Sequence, residues 1–280
     1  MQKKILYTLK SLINSNYLVL TQSGDQAILL AMEAVKKIKP TINVQQPIAN
    51  GQKPIFLIPD QSGWLSYQKY PKRVGFEIAE VKTDYGIIDL EDLKEKAKTA
   101  SAFIYQNPAG YFAEQPSKQI YEICRGKCLV IKDIAGSIGD FDLCNSSDAD
   151  FLVCSFGKWK PINLHYGGFI SANNSEYFEK LDKEKAIFDE SCFQRLEEEL
   201  KHLKQKIENF YKLSRKIKND LKEFEIIHKD KKGINVIVRY KDEEEKERIT
   251  GYCKKNSLEF TFCPRYIRVL EKAVSIEVKR

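Results

Sequence analysis

Two short apolar runs that each end at a polar group constrain this chain most strongly. The first run, residues 128–131, is unbroken and ends in β-branched residues, and Asp133 follows at its tip. The second run, residues 150–156, leads to Lys158 and Lys160. Short unbroken apolar runs are typical of parallel strands that are buried on both faces. Because ligands bind outside the carboxyl ends of such strands, we expect the acid and a lysine to share one crevice.

Strand-like and helix-like segments alternate through the first part of the chain. Short runs of apolar residues are followed by segments whose apolar residues recur at helical spacing. This alternation predicts an α/β fold in which a mainly parallel sheet is sandwiched by helices. Residues 40–53, rich in Gln, Asn and Pro, predict a connection. The predicted strands are 17–21, 54–59, 76–81 and 102–105, and the predicted helices are 3–14, 27–38, 90–98 and 117–125.

The composition changes in the second part of the chain. Residues 175–224 are dominated by Lys, Glu and Leu, with apolar residues three and four apart, which predicts one long helix or two. Residues 226–278 outline a small α+β unit, and its last segment, 273–278, alternates like a half-exposed strand. We therefore predict two domains, residues 1–175 and residues 176–280, with the small α+β domain in the second.

The composition limits the kinds of partner. The chain has 280 residues, of which 42% are hydrophobic and 30% charged, so it is able to bury a sizeable core. Its net charge of +7 is spread along the chain without a nucleic-acid-binding motif, and we expect no nucleic-acid partner. Seven cysteines, no signal peptide and no apolar run of membrane length predict reduced thiols in a cytoplasm and no membrane partner. Cys124 and Cys128 have no second pair of ligands nearby in the sequence, so we predict no metal site.

The turn Ser23-Gly24-Asp25-Gln26 is open to two interpretations. It joins a predicted strand to a helix N-terminus, where backbone N–H groups are able to bind a phosphate. The alternative is an ordinary capped helix start. Asp25 favours the alternative, because a carboxylate in the first turn already occupies the positive end of the helix dipole.

The residue types at these strand ends suit one kind of chemistry. A lysine amine forms a Schiff base with pyridoxal phosphate (PLP), and a carboxylate keeps the pyridine nitrogen protonated so that the ring accepts electrons. Trp64, in the loop after residues 54–59, is placed to stack on such a planar ring, although an aromatic side chain there more often just packs. Both Lys158 and Lys160 remain candidates at this point.

Three local motifs decide between the two lysines. Residues 23–29 read SGDQAIL, residues 130–135 read VIKDIA, and residues 155–160 read SFGKWK ahead of a Gly-Gly pair. They resemble the S-G-T-x-A-L, V-I-E-D-A-A and S-F-x-x-x-K-x-x-x-x-G-E-G-G motifs of the fold-type-I PLP enzymes. The resemblance is closest to the DegT/StrS-type aminotransferases that act on nucleotide-linked keto-sugars, and it covers residues 1–175.

The resemblance implies roles for the matched residues. Lys160 would be the Schiff-base lysine, Asp133 would pair with the pyridine nitrogen, and Ser155 would contact the phosphate. It also implies a PLP-dependent aminotransferase that works as a homodimer on a small-molecule amino donor and a keto acceptor such as a keto-sugar. The candidate catalytic residues are Lys160 and Asp133, and the candidate cofactor-binding residues are Ser23, Gly24, Asp25, Gln26, Trp64, Asp133, Ser155 and Lys160.

The sequence also departs from the family pattern. Asp25 stands where the family has a hydroxyl residue, and His165 and Tyr166 replace the Gly-Glu after the lysine. Two alternatives therefore stay open. One is a lyase or desulfurase-like enzyme of the same fold, for which Cys154 or Cys263 would be the reactive cysteine. The other is a degenerate, non-catalytic relative that acts as a binding or regulatory subunit, which Asp25 favours.

Overall fold

A computed structural model describes residues 1–38, 53–264 and 268–280. The predicted connection over residues 40–53 lies outside these ranges apart from its last residue. The strands are β1 (Tyr17–Thr21), β2 (Ile55–Pro59), β3 (Glu77–Val81), β4 (Thr83–Asp84), β5 (Ile87–Ile88), β6 (Ala100–Gln106), β7 (Leu129–Asp133), β8 (Phe151–Ser155), β9 (Gly168–Ala172), β10 (Val236–Arg239), β11 (Phe260–Cys263) and β12 (Ala273–Ile276). The helices are α1 (Gln2–Ile13), α2 (Gly24–Ile38), α3 (Tyr70–Val74), α4 (Leu90–Lys96), α5 (Ser117–Cys124), α6 (Phe141–Cys144), α7 (Ser175–Glu179), α8 (Phe193–Asp220) and α9 (Glu243–Lys255).

The main sheet has seven strands in the order β1-β9-β8-β7-β6-β2-β3. Neighbours from β8 to β3 are parallel, whereas β9 runs antiparallel to both β1 and β8. The prediction of a mainly parallel α/β sheet is therefore confirmed. All six predicted strands of this sheet form within one or two residues of their expected ends, and β9 is a strand that the sequence interpretation did not include.

Helices cover both faces of this sheet, and each face has its own core. Helices α1, α4, α5 and α8 pack on one face against side chains such as Val130 and Leu152. Helix α2 packs on the other face against side chains such as Ile131 and Val153. Strands β6 and β7 are buried along their whole length because both of their faces are covered, which explains their unbroken apolar runs.

The adjacent carboxyl ends of β7 and β8 bring two separate loops together. Asp133 is the last residue of β7 and pairs in register with Val153 of β8, and Ser155 is the last residue of β8. Helix α2 begins at Gly24, three residues before the predicted start at residue 27. Gly24 and Asp25 therefore belong to the first turn of α2, where helix N–H groups lack intrahelical acceptors.

The C-terminal part forms a second, antiparallel sheet in the order β10-β12-β11. Helix α8 links the two parts of the molecule, because its first half packs in a core of the main sheet and its second half packs in the core of this second sheet. The segment predicted as one long helix or two contains two helices, α7 and α8, separated by short 3-10 turns. The division into domains at residue 175 stays a prediction.

The prediction of a half-exposed last strand is wrong. Strand β12 is buried at every residue, and the burial continues through Lys279. It is the central strand of the second sheet, with β10 and β11 on either side, so no edge of it faces solvent. Its one polar residue, Ser275, is hydrogen-bonded to Asn235 and Glu277 inside the molecule, so the alternation of polar and apolar residues does not mean that this strand is exposed. No helix among the described residues is long and apolar enough to cross a membrane.

Candidate functional site

A cavity of about 490 Å³ opens at the carboxyl ends of β7 and β8, beside the N-terminus of α2. This volume lies in the usual range for sites that bind small molecules. The sequence-predicted residues that line it are Ser23, Gly24, Asp25, Trp64, Asp133, Ser155 and Lys160. Gln26 lies outside the lining: its side chain accepts a hydrogen bond from Gln22 on the surface, and its N–H donates to Ser23 Oγ at 3.1 Å.

Asp133 is buried at the floor of the cavity. One carboxylate oxygen accepts a hydrogen bond from the Tyr67 hydroxyl at 2.8 Å, and the other accepts from the Ala135 N–H at 2.9 Å. Burial raises the pKa of this carboxyl, while the hydrogen bonds from Ala135 and Tyr67 and the charge of Lys160 oppose the rise. Asp133 is thus a fixed acid that a positively charged partner in the cavity would further stabilise.

Lys160 lies in the loop after β8 and reaches into the cavity. Its Nζ donates a hydrogen bond to the Tyr111 hydroxyl, and it lies 4.3 Å from the centroid of the Tyr111 ring and 5.4 Å from that of Trp64. Lys158, by contrast, is exposed and places its Nζ over the Trp159 ring at 4.3 Å. Both lysines line the cavity, but Lys158 contacts Trp159, whereas Lys160 contacts Tyr111 and Trp64.

The N-terminus of α2 faces the end of β8 at very short range. A Cβ on Gly24 would lie 2.5 Å from the Cβ of Ser155, so only glycine fits at this position. The Ser155 Oγ accepts a hydrogen bond from the Gly157 N–H at 3.2 Å. Within residues 1–38, 53–264 and 268–280, no acceptor is found for the N–H group of Asp25, whereas Ser23, directly before Gly24, pairs with Gly167 in a parallel bridge. The Asp25 N–H and the Ser155 hydroxyl form a cradle suited to an anion at the N-terminus of α2.

Asp25 lies beside this cradle, and its carboxylate is engaged by an aromatic side chain. It accepts a hydrogen bond from Trp64 Nε1 at 3.0 Å. The bond fixes the indole against the cavity, which gives Asp25 a role other than capping its own helix. Sequence reasoning singled out both residues separately, but nothing in the sequence indicated that they contact each other.

Three further residues at the cavity were missed from the sequence. The Tyr67 hydroxyl donates a hydrogen bond to the carboxylate of Asp133, and the Tyr111 hydroxyl accepts one from the amine of Lys160. Lys279 is buried in the cavity wall, where its Nζ bonds Glu277 and Asn235. Burial lowers the pKa of Lys279 to about 8, although the Glu277 charge opposes this change. The only sequence signal for this lysine was a Glu-x-Lys pattern directly after an apolar strand.

The two candidate cysteines differ in position. Cys154 lines the cavity, but burial raises the pKa of its thiol well above the ordinary value, so the thiol is protonated at neutral pH. Cys263 is the last residue of β11 and is buried in a core cluster away from the cavity lining. Among the described residues, no group of three or more His, Cys, Asp or Glu side chains is arranged to hold a metal ion.

Comparison with solved structures shows the class of fold. The chain is similar to E. coli GDP-4-keto-6-deoxy-D-mannose-3-dehydratase with bound hydrated PLP, with a TM-score of 0.75, 14% identity and coverage of 98% of this chain and 86% of that one. For a DegT DnrJ EryC1 StrS aminotransferase from Brucella abortus the values are 0.73, 14%, 99% and 84%. For the ureidoglycine-glyoxylate aminotransferase from Bacillus subtilis they are 0.66, 14%, 98% and 78%. The chain therefore has the fold of the fold-type-I PLP-dependent transferases.

Sequence comparisons add one partial match. Residues 201–280 match the family described as the MJ1341 family C-terminal domain. This stretch begins within α8 and includes the whole second sheet. A search of curated protein sequences gave no match. The comparison with solved structures, rather than the sequence comparisons, confirms the resemblance to DegT/StrS-type enzymes, and it does so at the level of the fold.

Proposed function

We propose that this protein is a PLP-dependent aminotransferase in which Lys160 is the covalent attachment lysine. The observation that carries the proposal is that Asp133 and Lys160, from two separate strand ends, face one cavity in a fold that other proteins use to bind PLP. Either residue alone would be an ordinary buried acid or loop lysine. Together they are the two groups that this cofactor chemistry needs.

The residues of the cavity match the parts of the cofactor. Asp133 would face the pyridine nitrogen, and Lys160 would meet the aldehyde. The Asp25 N–H and the Ser155 hydroxyl would hold the phosphate at the N-terminus of α2, and Gly24, which has no side chain, lets the end of β8 approach this turn closely. Trp64 would lie against the ring, and its bond to Asp25 would keep it there. When bound, the cofactor supplies an electron sink for the substrate carbon.

The chain's own groups would position that chemistry and move its protons. Tyr67 and the Ala135 N–H keep the Asp133 carboxylate aimed at the cavity, so that its charge favours a protonated ring nitrogen. The Lys160 amine would take a proton from one substrate carbon and return it to another. The aromatic rings of Trp64 and Tyr111 beside this amine reduce the access of water.

We further propose a small-molecule amino donor and a keto acceptor, with keto-sugars as the acceptor class. The support is the motif resemblance and the similarity in fold to E. coli GDP-4-keto-6-deoxy-D-mannose-3-dehydratase, an enzyme named for a nucleotide-linked keto-sugar. We also propose that the protein works as a homodimer in the cytoplasm. The dimer rests on the resemblance, and its test is sedimentation at micromolar concentration, where a monomer that still transaminates would contradict it.

A second candidate is the degenerate, non-catalytic relative. The observation that favours it is the Asp25 carboxylate, which lines the cavity next to the anion cradle and would repel a phosphate. Its bond with Trp64 favours the enzyme instead, because the negative charge is partly satisfied by the indole N–H. The lyase or desulfurase alternative is less well supported, since the Cys154 thiol next to the site is protonated.

Titration with PLP distinguishes these candidates. We expect the wild type to bind one equivalent per chain, seen as an absorbance band that is absent from the protein without cofactor. Replacement of Asp25 by Thr should tighten binding only modestly. Binding by Asp25→Thr alone would instead support the degenerate relative. Addition of L-glutamate to the loaded wild type should then convert the bound cofactor to its amine form, and a loaded protein that resists a panel of amino acids would contradict transamination.

A further inference from the structure

Tyr111 is held at the cavity by the C-terminal sheet. It lies in the loop after β6 with a φ of +68°, a region that side-chain-bearing residues rarely adopt. Its carbonyl accepts hydrogen bonds from the N–H groups of Ile234 at 2.7 Å and Asn235 at 2.9 Å. A Cβ on Gly233 would lie 2.4 Å from the backbone of Phe112, so the two segments touch backbone to backbone. The unusual backbone of Tyr111 is thus fixed from outside its own loop.

The ring of Tyr111 packs against Gly136, in the loop after β7, where the absence of a side chain leaves room for it. A Cβ on Gly136 would lie 2.6 Å from Tyr111 Cδ1, so the glycine is what lets the ring sit here. The ring also contacts two ammonium groups, with the Nζ of Lys160 at 4.3 Å and that of Lys279 at 4.8 Å from its centroid. Lys279 is already paired with Glu277 and Asn235. Lys160 instead directs a hydrogen bond to the Tyr111 hydroxyl.

The chemistry of the phenol suits this contact. Burial and the Asp133 charge raise the pKa of Tyr111, and the Gln106 side chain opposes this change. The phenol therefore keeps its proton at neutral pH. Its oxygen accepts from a charged lysine, and its O–H donates to a neutral one, so the contact persists in both protonation states of the amine.

We propose that Tyr111 is the positioning residue that holds the reactive amine of Lys160, and that residues 233–235 act through it as part of the site. The first consequence rests on the proposed function: cofactor attachment is directed to Lys160 rather than to Lys158 or Lys279. The second does not, because the amine is held in the same place when no cofactor is bound.

Replacement of Tyr111 by Phe tests the first consequence, since it keeps the ring and removes only the hydroxyl. After loading with PLP and reduction with borohydride, the wild type should carry the label on Lys160. In the variant, attachment at Lys160 should be roughly ten- to hundredfold slower, as expected for the loss of a hydrogen bond to a charged group. Part of the label should move to Lys158 or Lys279. Unchanged rate and unchanged distribution would overturn the proposal.

Tyr105→Phe is the matched control. Tyr105 is as buried as Tyr111, but it packs in the core on the opposite face of the sheet, so its change should leave the labelling at Lys160 unaltered. If Tyr105→Phe slows attachment at Lys160 as much as Tyr111→Phe does, the effect is not specific to Tyr111 and the positioning role is overturned. Gly136→Ala displaces the ring without touching either amine, and we expect it to redistribute the label as Tyr111→Phe does.

Acetylation of the full chain without cofactor tests the second consequence. The ratio of acetic anhydride labelling at Lys160 to that at exposed Lys158 should rise in Tyr111→Phe, because the released amine samples solvent. An unchanged or lower ratio would overturn the proposal. A wild type that takes no PLP while its Lys160 ratio responds to Tyr111→Phe would disprove the proposed function and leave the positioning role intact.

Discussion

The carboxyl edge of the main sheet and the C-terminal segment, residues 273–280, contribute to the cavity in different ways. At the edge, Asp133 and Lys160 face the cavity and are each steadied by a tyrosine hydroxyl. In the C-terminal segment, Glu277 and Lys279 are 2% and 7% exposed and bond to each other. The edge therefore presents groups that are available for chemistry, whereas the C-terminal segment presents charges that are already neutralised. We infer that the edge would perform the proposed reaction and that the segment maintains the shape of the wall.

The largest effect should come from the edge, through Lys160→Ala. Turnover should fall by about 10⁴-fold, because the variant loses both the attachment amine and the group that moves the proton. The steady-state rate with a saturating amino donor measures this loss. Lys158→Ala is the control, since Lys158 is exposed and lies over Trp159, and it should keep most of the activity. Equal losses in the two variants would remove the distinction between the lysines.

The next largest effect should come from the C-terminal segment and should appear in stability. Glu277→Gln leaves Lys279 buried without its counter-ion, which costs about 3–5 kcal/mol in the free energy of unfolding. Denaturant titration at neutral pH measures the change. Glu223→Gln, which breaks the exposed pair with Arg248, should cost about 1 kcal/mol or less. A Glu277→Gln protein as stable as this control would show that the segment does not maintain the wall.

The stabilisation from the buried Glu277–Lys279 pair should also make stability depend on pH. Burial raises the pKa of Glu277, but the Lys279 and Arg280 charges outweigh it and leave the pKa lowered. A carboxyl with a lowered folded-state pKa stabilises the fold above its unfolded-state pKa of about 4.3, and this contribution is lost as the pH falls through the folded-state value. Acid titration of wild type and Glu277→Gln should therefore converge at low pH. Curves that stay parallel down to full protonation would contradict this.

Asp133→Asn should have a smaller effect on rate than loss of the lysine. The amide keeps the size of the side chain and its bond with Tyr67 but no longer favours a protonated ring nitrogen, so turnover should fall on the order of a hundredfold. Cofactor content, measured by absorbance, should change little. Asp148→Asn makes the comparison specific, because Asp148 is a buried acid paired with Lys132 away from the cavity. Near-normal turnover in Asp133→Asn would exclude its role.

The smallest effect should follow Trp64→Phe. The change keeps an aromatic ring but removes the N–H that bonds Asp25, which is worth about 1 kcal/mol, or about fivefold in the dissociation constant for PLP. Equilibrium titration measures it. Because the freed carboxylate lies beside the anion cradle, we expect binding to weaken and Asp25→Asn in the same background to restore it. Tighter binding in Trp64→Phe would show that the indole obstructs the cofactor.

The sequence was informative at the sheet edge because the signal there is local. An unbroken apolar run predicts a buried parallel strand, and the residue at its end must lie at the edge of the sheet, which located Asp133. The choice of Lys160 over Lys158 needed the motif spacing, because both lysines follow the same strand.

The C-terminal segment and the two tyrosines were beyond the same reasoning. The alternation in residues 273–278 has the period of a half-exposed strand, and only pairing with both β10 and β11 buries it. Tyr111 reaches Lys160 because Ile234 and Asn235 bind its carbonyl across a long separation in sequence. No local sequence pattern encodes such a contact, so the residues that hold the side chains of the site in place could be identified only from the structure.

Borohydride trapping in the wild-type protein tests the central claim most directly. The claim is that the cavity between Asp133 and Lys160 binds PLP through the Lys160 amine. After loading with PLP, reduction and proteolysis, mass spectrometry should find one cofactor equivalent per chain, on the peptide that contains Lys160 and at that residue. A label on Lys158 or Lys279, or no stable label at saturating PLP, would contradict the claim.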